Sequence, residues 1–470
     1  MTNGMNRNSG HPGNGGTDGQ GGRAANVRDI SEIQTAYIMR NFPDAAIYPT
    51  RVPGEPEPPV EFIYRRRHLL TRDRDLRRVQ EALGAQDPAA AAGGARRFEI
   101  EMVTHPIPGL ALVELAGGGG DPAAEAGILF SALLAVQERL GRGVAAPDHL
   151  MHICPPSPPA TECPATEPEV PDRDAPWPPV SRSRCDGRGT LVAVVDTGLV
   201  EDAPARHPWL HGVTGDPDLQ VHGNTSIDRY GGHGTFIASI IRAMAPRAEV
   251  RVPRFIRTGG ALYETDIVRS LLPVLDWAPD VISLSAGTHT WLDVGLLSFQ
   301  VFVSGPLAEA SGAVLVAAAG NDGLDWKFSP ADLDGVIGVG ALGPPGDALA
   351  WFSDYGDWVK VYAPGQDLVH AFACGDYRYA ETNVGAVAHF SGMARWSGTS
   401  FSTPVVSGLI AARMSGTGES SREAAESLLR LARAQAVPGV GPVLHPGQAC
   451  LCACDRPCRE RREGCGCGRP

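Results

Sequence analysis

The sequence is short of lysine, of long apolar runs and of an apolar leader. Only Lys327 and Lys360 are lysines among 41 basic residues, and 53 acidic residues give a formal net charge of -12. An acidic chain of this kind argues against a nucleic-acid partner. The opening stretch, MTNGMNRNSGHPGNGGTDGQGG, has no signal-peptide pattern, and no later stretch is expected to span a membrane. We therefore expect a cytoplasmic protein without a membrane partner, although export by a non-standard route would leave the same sequence.

Cysteine is scarce outside the C-terminal end. Six of the ten cysteines fall in the last 21 residues, with the spacing C-x-C-x-C-x₃-C-x₆-C-x-C. Such a density of thiols suits a soft metal if the thiols are reduced, or disulfides if the protein is exported. The C-x₂-C pairs that are usual in zinc folds are missing. We predict an unstructured, reactive tail over residues 439–470, with no metal.

Glycine and proline are abundant, and their excess falls mainly in two segments. The chain has 57 glycines and 40 prolines, more than a compact fold needs. Residues 1–27 are rich in Gly, Asn and Ser without periodicity, which predicts disorder. Ten prolines lie between Cys154 and Val180, which predicts an extended linker over residues 154–184. The rest of the chain is long enough for two domains.

The apolar pattern before the linker predicts a small α+β domain over residues 28–153. VEFIYRRRHLL alternates like a strand, TRDRDLRRVQEAL has helical spacing, and FEIEMV and LALVEL are strands joined by the turn HPIPG. Asp121 and Pro122 begin a second helix, and DHLMHIC is a final strand. The order β-α-β-β-α-β predicts a ferredoxin-like sheet with two helices on one face.

Residues 185–438, beyond the linker, predict an α/β domain with a mostly parallel sheet. LVAVVD, DVISLS, AVLVAAAG and GVIGVGA are continuously apolar and alternate with helical stretches such as HGTFIASIIRAM. Strands of this kind are covered by helices on both faces. Functional residues of such sheets lie in the loops at the ends of the strands, so we expect the reactive side chains in those loops.

Four polar residues lie at the ends of these elements. Asp196 ends a strand in VAVVDTGL, and Asn321 follows another in AVLVAAAGN. His233 enters a helix from the glycine-rich loop of RYGGHGTF, and Ser400 begins the helix of RWSGTSFSTP. Each residue alone fits an ordinary turn, helix cap or polar pocket. Together they supply the orienting acid, oxyanion donor, base and nucleophile that peptide hydrolysis requires.

The order of the four motifs favours the catalytic interpretation. Asp-Thr-Gly, His-Gly-Thr, Ala-Gly-Asn and Gly-Thr-Ser-x-Ser-x-Pro follow one another as in the subtilisin-like serine proteases, which this sequence resembles over about residues 186–435. The resemblance implies a nucleophile at Ser400, a general base at His233, an orienting carboxylate at Asp196 and an oxyanion-hole amide at Asn321. It also implies a serine endopeptidase with a protein or peptide substrate and no cofactor.

The resemblance further implies where a substrate would bind. An extended peptide would add as a strand to Ser285, Ala286 and Gly287 of DVISLSAGT, facing an edge near RTGGALY. Ala319 and Gly320 would form the floor of the main specificity pocket. The alternative for DVISLSAGT is a buried strand of the sheet.

Three departures from the family pattern leave the preferred peptide open. Phe401 follows the nucleophile where a methionine is usual, Ala286 replaces a common leucine, and residues 366–395 form a longer insertion. The insertion either restricts the cleft or is a surface loop. No calcium cluster stands out, so we expect no metal in the catalytic domain.

The resemblance gives two alternatives for the N-terminal domain. Many members of the family carry a prodomain of β-α-β-β-α-β order that templates folding and inhibits the site. Residues 28–153 are then an intramolecular inhibitor, cleaved between about Cys154 and Arg188, or else a permanent recognition domain. For the chain as a whole, the alternative to an endopeptidase is a catalytically silent module that binds a peptide or a partner in the same cleft.

Overall fold

The computed structural model describes residues 27–49, 61–84, 98–153, 165–175, 178, 180–181, 186–257, 259–310, 312–381 and 383–447. Residues 1–26 of the predicted disordered N-terminus, residues 448–470 of the predicted tail and much of the predicted linker lie outside these ranges.

The N-terminal unit is an antiparallel sheet with helices. Its elements are α1 (Val27–Asn41), β1 (Ala45–Tyr48), β2 (Phe62–Arg72), α2 (Leu76–Gly84), β3 (Ile100–Ile107), β4 (Leu110–Leu115), α3 (Pro122–Leu140) and β5 (Ala145–His152). The strands are arranged in the order β5-β2-β4-β3, and β1 pairs with β2. From β2 to β5 the elements follow the order β-α-β-β-α-β, whereas the preceding α1 and β1 were not expected.

The sheet of the N-terminal unit is covered on both faces. The first residue of α3 is Pro122, and the Asp121 side chain caps the helix by accepting from the amides of Ala123 and Ala124. On one face, α2 and α3 pack on the sheet through a shared apolar core. On the other face, Leu70 and Leu112 share a core with helices of the larger unit, so the two units are packed against each other.

The larger unit is an α/β fold around a mixed sheet. Its strands are β6 (Leu191–Val195), β7 (Thr214–Gly215), β8 (Val221–His222), β9 (Ser226–Ile227), β10 (Glu249–Val252), β11 (Ala261–Tyr263), β12 (Val281–Leu284), β13 (Val314–Ala318), β14 (Val336–Gly343), β15 (Ala348–Leu349), β16 (Val361–Pro364), β17 (Leu368–Arg378) and β18 (Val387–Trp396). Its helices are α4 (Ala203–Arg206), α5 (His233–Met244), α6 (Glu264–Leu275), α7 (Leu297–Ser304), α8 (Pro306–Glu309), α9 (Thr399–Thr417) and α10 (Ser421–Ala434).

The main sheet has the strand order β15-β14-β13-β12-β6-β10-β7, with β16 also paired to β14. All these pairs are parallel except the antiparallel pair of β14 with β15. Val194 faces a core that contains residues of α5 and α9, and Val195 faces a core that contains residues of α6 and α7. Because β6, β12 and β13 are parallel neighbours, their carboxyl ends lie at one edge of the sheet.

The insertion over residues 366–395 is largely the hairpin of β17 and β18. The two strands pair antiparallel, and β17 also pairs with β9. Phe372, Phe390 and Trp396 of the hairpin are buried in the core on the α5 side of the main sheet. The described end of the linker lies along the hairpin, where Glu169 forms a β-bridge with Arg395. The insertion is therefore part of the packed domain and not a simple surface loop.

One stretch contradicts the expectation that none approaches a membrane span. Within the described residues, Trp291–Glu309 is long and apolar enough to cross a membrane by length and composition alone. The stretch is not one continuous helix, because Leu292 has a positive φ of 59° and the α-helix α7 starts only at Leu297. Phe299 and Phe302 of α7 are buried in the core of the larger unit.

Candidate active site

Asp196 and His233 form a buried pair at the carboxyl edge of the main sheet. Asp196 directly follows β6, and His233 is the first residue of α5. Nδ1 of His233 lies 2.8 Å from Oδ1 and 2.9 Å from Oδ2 of Asp196. A carboxylate acceptor at Nδ1 keeps the proton on that nitrogen and leaves the lone pair on Nε2. Among the described residues, the buried Nε2 has no hydrogen-bond partner, so it is available as a base.

Asp218 accepts hydrogen bonds from the neighbours in sequence of both Asp196 and His233. The sequence did not suggest such a role. Its Oδ2 accepts from the amide of Gly232 at 2.8 Å and from the hydroxyl of Thr197 at 2.9 Å. Gly232 has φ 83° and turns the glycine-rich loop into α5. Burial raises the pKa of Asp218 to about 6, against the lowering effect of the amides that it accepts from. Asp218 therefore fixes the residues next to Asp196 and His233.

Asn321 contacts the start of α9, at the residue that precedes Ser400. Ser400 is the second residue of that helix and is buried. The Oδ1 atom of Asn321 accepts from the amide of Thr399 at 2.8 Å and from its hydroxyl at 2.9 Å. Because the oxygen of the Asn321 amide is held in this way, its Nδ2 group is the one directed elsewhere as a donor. The amide of Ser400 lies in the first turn of α9, where helix amides and the helix dipole favour negative charge.

Two aromatic rings pack around the imidazole of His233. The Trp396 ring lies edge-on with its centroid 5.5 Å away, and the Phe401 ring is tilted with its centroid 5.4 Å away. Phe401, the departure from the family pattern next to Ser400, also contacts Phe236 at 4.5 Å between ring centroids. These rings restrict the imidazole to one orientation. Trp396 is the last residue of β18 and was not singled out in the sequence.

The predicted substrate segment is paired with the end of the N-terminal unit. Ser285, Ala286 and Gly287 follow β12 and are buried. Gly287 exchanges two backbone hydrogen bonds of 3.1 Å each with His152. On the opposite side, the amide of Ile153 donates to the carbonyl of Gly260 at 2.9 Å, and β5 pairs antiparallel with β11. The end of β5 thus lies between the two segments at which a bound peptide was expected.

Ala319 and Gly320, the predicted floor of the specificity pocket, directly follow β13. Side chains of other loops pack closely against Gly320. A Cβ atom on Gly320, which has φ +108°, would collide with a carboxylate oxygen of Asp354, and one on Gly287 would collide with the Phe328 ring. Glycine is required at both positions because these side chains approach the backbone so closely. Phe328 therefore lies against both Gly287 and Gly320, and Asp354 lies against Gly320. Sequence patterns identified neither Phe328 nor Asp354.

A buried ionic cluster lies behind this region. Nε2 of His289 lies 3.0 Å from Oδ2 of Asp322, and its Nδ1 lies 3.0 Å from the carbonyl oxygen of Lys327. Burial alone lowers the pKa of His289, but the hydrogen bond and charge of Asp322 outweigh it and raise the pKa to about 9. Burial, together with the charge of Asp322, raises the pKa of Asp354 well above its usual range. No local sequence pattern identifies this cluster, because its three side chains come from three separate loops.

Comparison with known proteins agrees with this geometry. The family model described as the subtilase family matches residues 187–440, which is more than half of the chain. The chain belongs to the subtilase family. The resemblance inferred from the four motifs is thereby confirmed.

Two curated relatives of this subtilase are similar to it over somewhat less than half of its length. The thermophilic serine proteinase of Bacillus sp. (strain AK1) is 33% identical over 219 residues, which are 44% of this chain and 51% of that protein. Thermitase of Thermoactinomyces vulgaris is 31% identical over 235 residues, which are 48% of this chain and 74% of that protein. The chain thus spans about half the length of the first relative and about three quarters of the second.

A solved structure is similar over more than the matched family region. The crystal structure of fervidolysin from Fervidobacterium pennivorans, a keratinolytic enzyme related to subtilisin, has a TM-score of 0.50 and 17% identity over 82% of this chain and 61% of that chain. At this identity the likeness concerns the fold alone. It supports the α/β subtilase fold of the larger unit.

Proposed function

We propose that this subtilase is a serine endopeptidase that hydrolyses peptide bonds through an acyl-enzyme on Ser400. The observation that carries the proposal is the buried contact of His233 with both carboxylate oxygens of Asp196, beside the helix α9 whose first turn contains Ser400, in a chain of this family. The relative named as a thermophilic serine proteinase supports it. The alternative, a catalytically silent binding module, gains no support from any of the comparisons.

The proposed reaction has two halves, acylation of Ser400 and hydrolysis of the acyl-enzyme, and the same groups act in both. His233 takes the hydroxyl proton of Ser400 through Nε2 while the serine oxygen attacks the carbonyl carbon, and then gives the proton to the leaving amine. Asp196 keeps the other proton on Nδ1 and stabilises the imidazolium. Water then repeats the sequence on the acyl-enzyme and releases the acid. In the transition state, Nδ2 of Asn321 and the amide of Ser400 donate to the oxyanion.

We further propose that residues 28–153 form a ferredoxin-like domain that inhibits the site within the same chain. The proposal is supported by the end of β5, which lies between Gly287 and Gly260 where a peptide strand would bind. It follows that a substrate competes with the chain's own backbone for the same hydrogen bonds. The segment expected to be cleaved, from Cys154 to Arg188, lies largely outside the described residues.

Buried ionic contacts support a specific interface between the two units. His149 of β5 lies 2.8 Å from Glu264 at the start of α6, and both side chains are fully buried. Asp148 lies 3.0 Å from Arg65 within the N-terminal unit and accepts from the Thr265 hydroxyl across the interface at 2.9 Å. Buried polar groups tolerate little misalignment, so this interface favours one docking geometry.

The experiment that tests the function compares wild type with Ser400→Ala in the full chain. We expect a small fluorophosphonate to label the wild type at Ser400, as located by peptide mass spectrometry, and the variant to remain unlabelled. We also expect a fragment cut in the linker only with the wild type. Labelling that is equal in both proteins, or absent from a wild type whose linker has been cut by an added protease and which has then been diluted and separated from its N-terminal unit, would overturn the proposal.

A further inference from the structure

The buried cluster of His289, Asp322 and Asp354 is not used by the proposed reaction. One donor atom of each side chain lies within 4.8 Å of the others, and all three residues are buried. The residues come from the loop after β12, the loop after β13 and the loop between β15 and β16. His289 and Asp322 lie close together because β12 and β13 are parallel neighbours, and Asp354 joins them from the chain that follows the antiparallel strand β15.

The hydrogen bonds of the cluster leave several of its nitrogen and oxygen atoms able to bind a metal ion. Nδ1 of His289 faces the Lys327 carbonyl and donates to it, so Nε2 is the ring nitrogen that faces Asp322, and it can offer a lone pair to a metal ion when that ion displaces its proton. Oδ1 of Asp354 accepts from the amides of Asp322 and Leu324 at 3.0 and 2.9 Å. Among the residues that the structure describes, neither Oδ1 of Asp322 nor Oδ2 of Asp354 accepts a hydrogen bond.

The cluster buries two carboxyl groups beside one imidazole, and each carboxyl group keeps one oxygen without a hydrogen-bond partner among the described residues, which a bound cation would neutralise. We propose that His289, Asp322 and Asp354 bind a divalent first-row transition-metal ion. The 3.0 Å separation of Nε2 of His289 and Oδ2 of Asp322 is that of two neighbouring ligands at roughly 2.1 Å from one ion. The carbonyl at Nδ1 orients the imidazole as a second-layer acceptor does in metal sites.

The donor set selects the class of metal. Calcium and magnesium take oxygen ligands, whereas an imidazole favours ions such as Mn²⁺ or Zn²⁺ when carboxylates complete the site. The ion would join three loops, since Asp322 directly follows Asn321 and the Asp354 amide donates to the Gly320 carbonyl at 3.2 Å. Metal binding would therefore stiffen the loop that carries the proposed oxyanion amide.

The test is a titration of the metal-free full chain with Mn²⁺, followed by electron paramagnetic resonance of the free ion. Mn²⁺ prefers nitrogen and oxygen to thiolates, so the C-terminal cysteines compete little. A Ser400→Ala background prevents self-digestion and makes the result independent of the proposed activity. The test variants are Asp354→Asn, which retains an oxygen for the two amides, and His289→Gln. The matched control is Asp376→Asn in the exposed pair with His389.

We expect one Mn²⁺ per chain to bind tightly and to raise the melting temperature of the wild type. Asp354→Asn and His289→Gln should each weaken this binding at least tenfold, and Asp376→Asn should leave it unchanged. Melting curves in EDTA show whether the variants are folded. Absence of saturable binding to the wild type, or equal affinity of wild type and the two test variants, would overturn the proposal.

Discussion

His152 and Gly287 exchange two backbone hydrogen bonds of 3.1 Å each, and so join the N-terminal unit to the segment after β12. If this pairing blocks the site, its loss accelerates labelling of Ser400. We expect His152→Pro, which removes the amide donor, to raise the rate of fluorophosphonate labelling of the uncut chain about fivefold, since one such bond contributes about 1 kcal/mol. His152→Ala keeps the amide and is the control. Equal rates for the two variants would contradict the inhibitory role.

The contact between Asn321 and Thr399 gives a second prediction. Asn321→Ala should lower kcat by about 10²–10³ with little change in KM, because the amide acts only in the transition state. Thr399→Val removes the hydroxyl that donates to Asn321 at 2.9 Å and should lower kcat about tenfold. Thr403→Val, the same substitution one turn later, is the control. Steady-state kinetics on a peptide substrate measure all three, and a Thr399→Val variant with wild-type kcat would argue against this orientation.

A third prediction concerns stability at acid pH. Burial lowers the pKa of His370 to about 3, compared with about 6.5 in an unfolded chain. The unfolded state therefore binds more protons below pH 6.5, so stability falls as the pH falls from 6.5 toward 3, by about 1.4 kcal/mol per unit from this group. Urea unfolding of His370→Asn should lack this part of the slope. His389→Asn, at an exposed histidine, should keep it; identical slopes for His370→Asn and wild type would refute the assignment.

A fourth prediction concerns the aromatic packing behind the site. Phe401 is fully buried and contacts the rings of Phe236, Trp396 and His233. Phe401→Ala should reduce the free energy of unfolding by about 3–5 kcal/mol through lost burial and a cavity. Trp351→Ala, at a ring that is 60% exposed, should cost far less. Chemical denaturation in the Ser400→Ala background compares them, and equal losses would contradict the packing described.

The main features of the site could be predicted because they depend on local sequence. Asp196, Ser285 and Asn321 each follow a continuously apolar strand, and parallel strands bring their carboxyl ends together. His233 and Ser400 each lie in the first turn of a helix that small residues introduce. The order along the chain of Asp196, His233, Asn321 and Ser400 then joined four positions whose individual patterns are ordinary.

The remaining features depend on contacts that no local pattern encodes. Asp218 lies in a loop, and its partners Gly232 and Thr197 are distant in sequence. The pairing of His152 with Gly287 requires the docking of two units. The hairpin that carries Trp396 forms through long-range pairing of an insertion, and α1 precedes the region in which the periodicity was clear.

The described residues on either side of residues 154–164 are both bound to the larger unit. Ile153 donates to the Gly260 carbonyl at 2.9 Å, and Ala165 donates to the Ser397 carbonyl at 3.1 Å. A cut between Ile153 and Ala165 removes neither of these contacts, so cleavage by itself does not release the N-terminal unit. Before the cut, the end of β5 rebinds between Gly260 and Gly287 within one chain, at a fixed effective concentration. After the cut, rebinding joins two separate chains, so its rate depends on the protein concentration. The onset of activity should therefore depend on dilution, with a concentrated sample staying silent longer than a dilute one after the same cut.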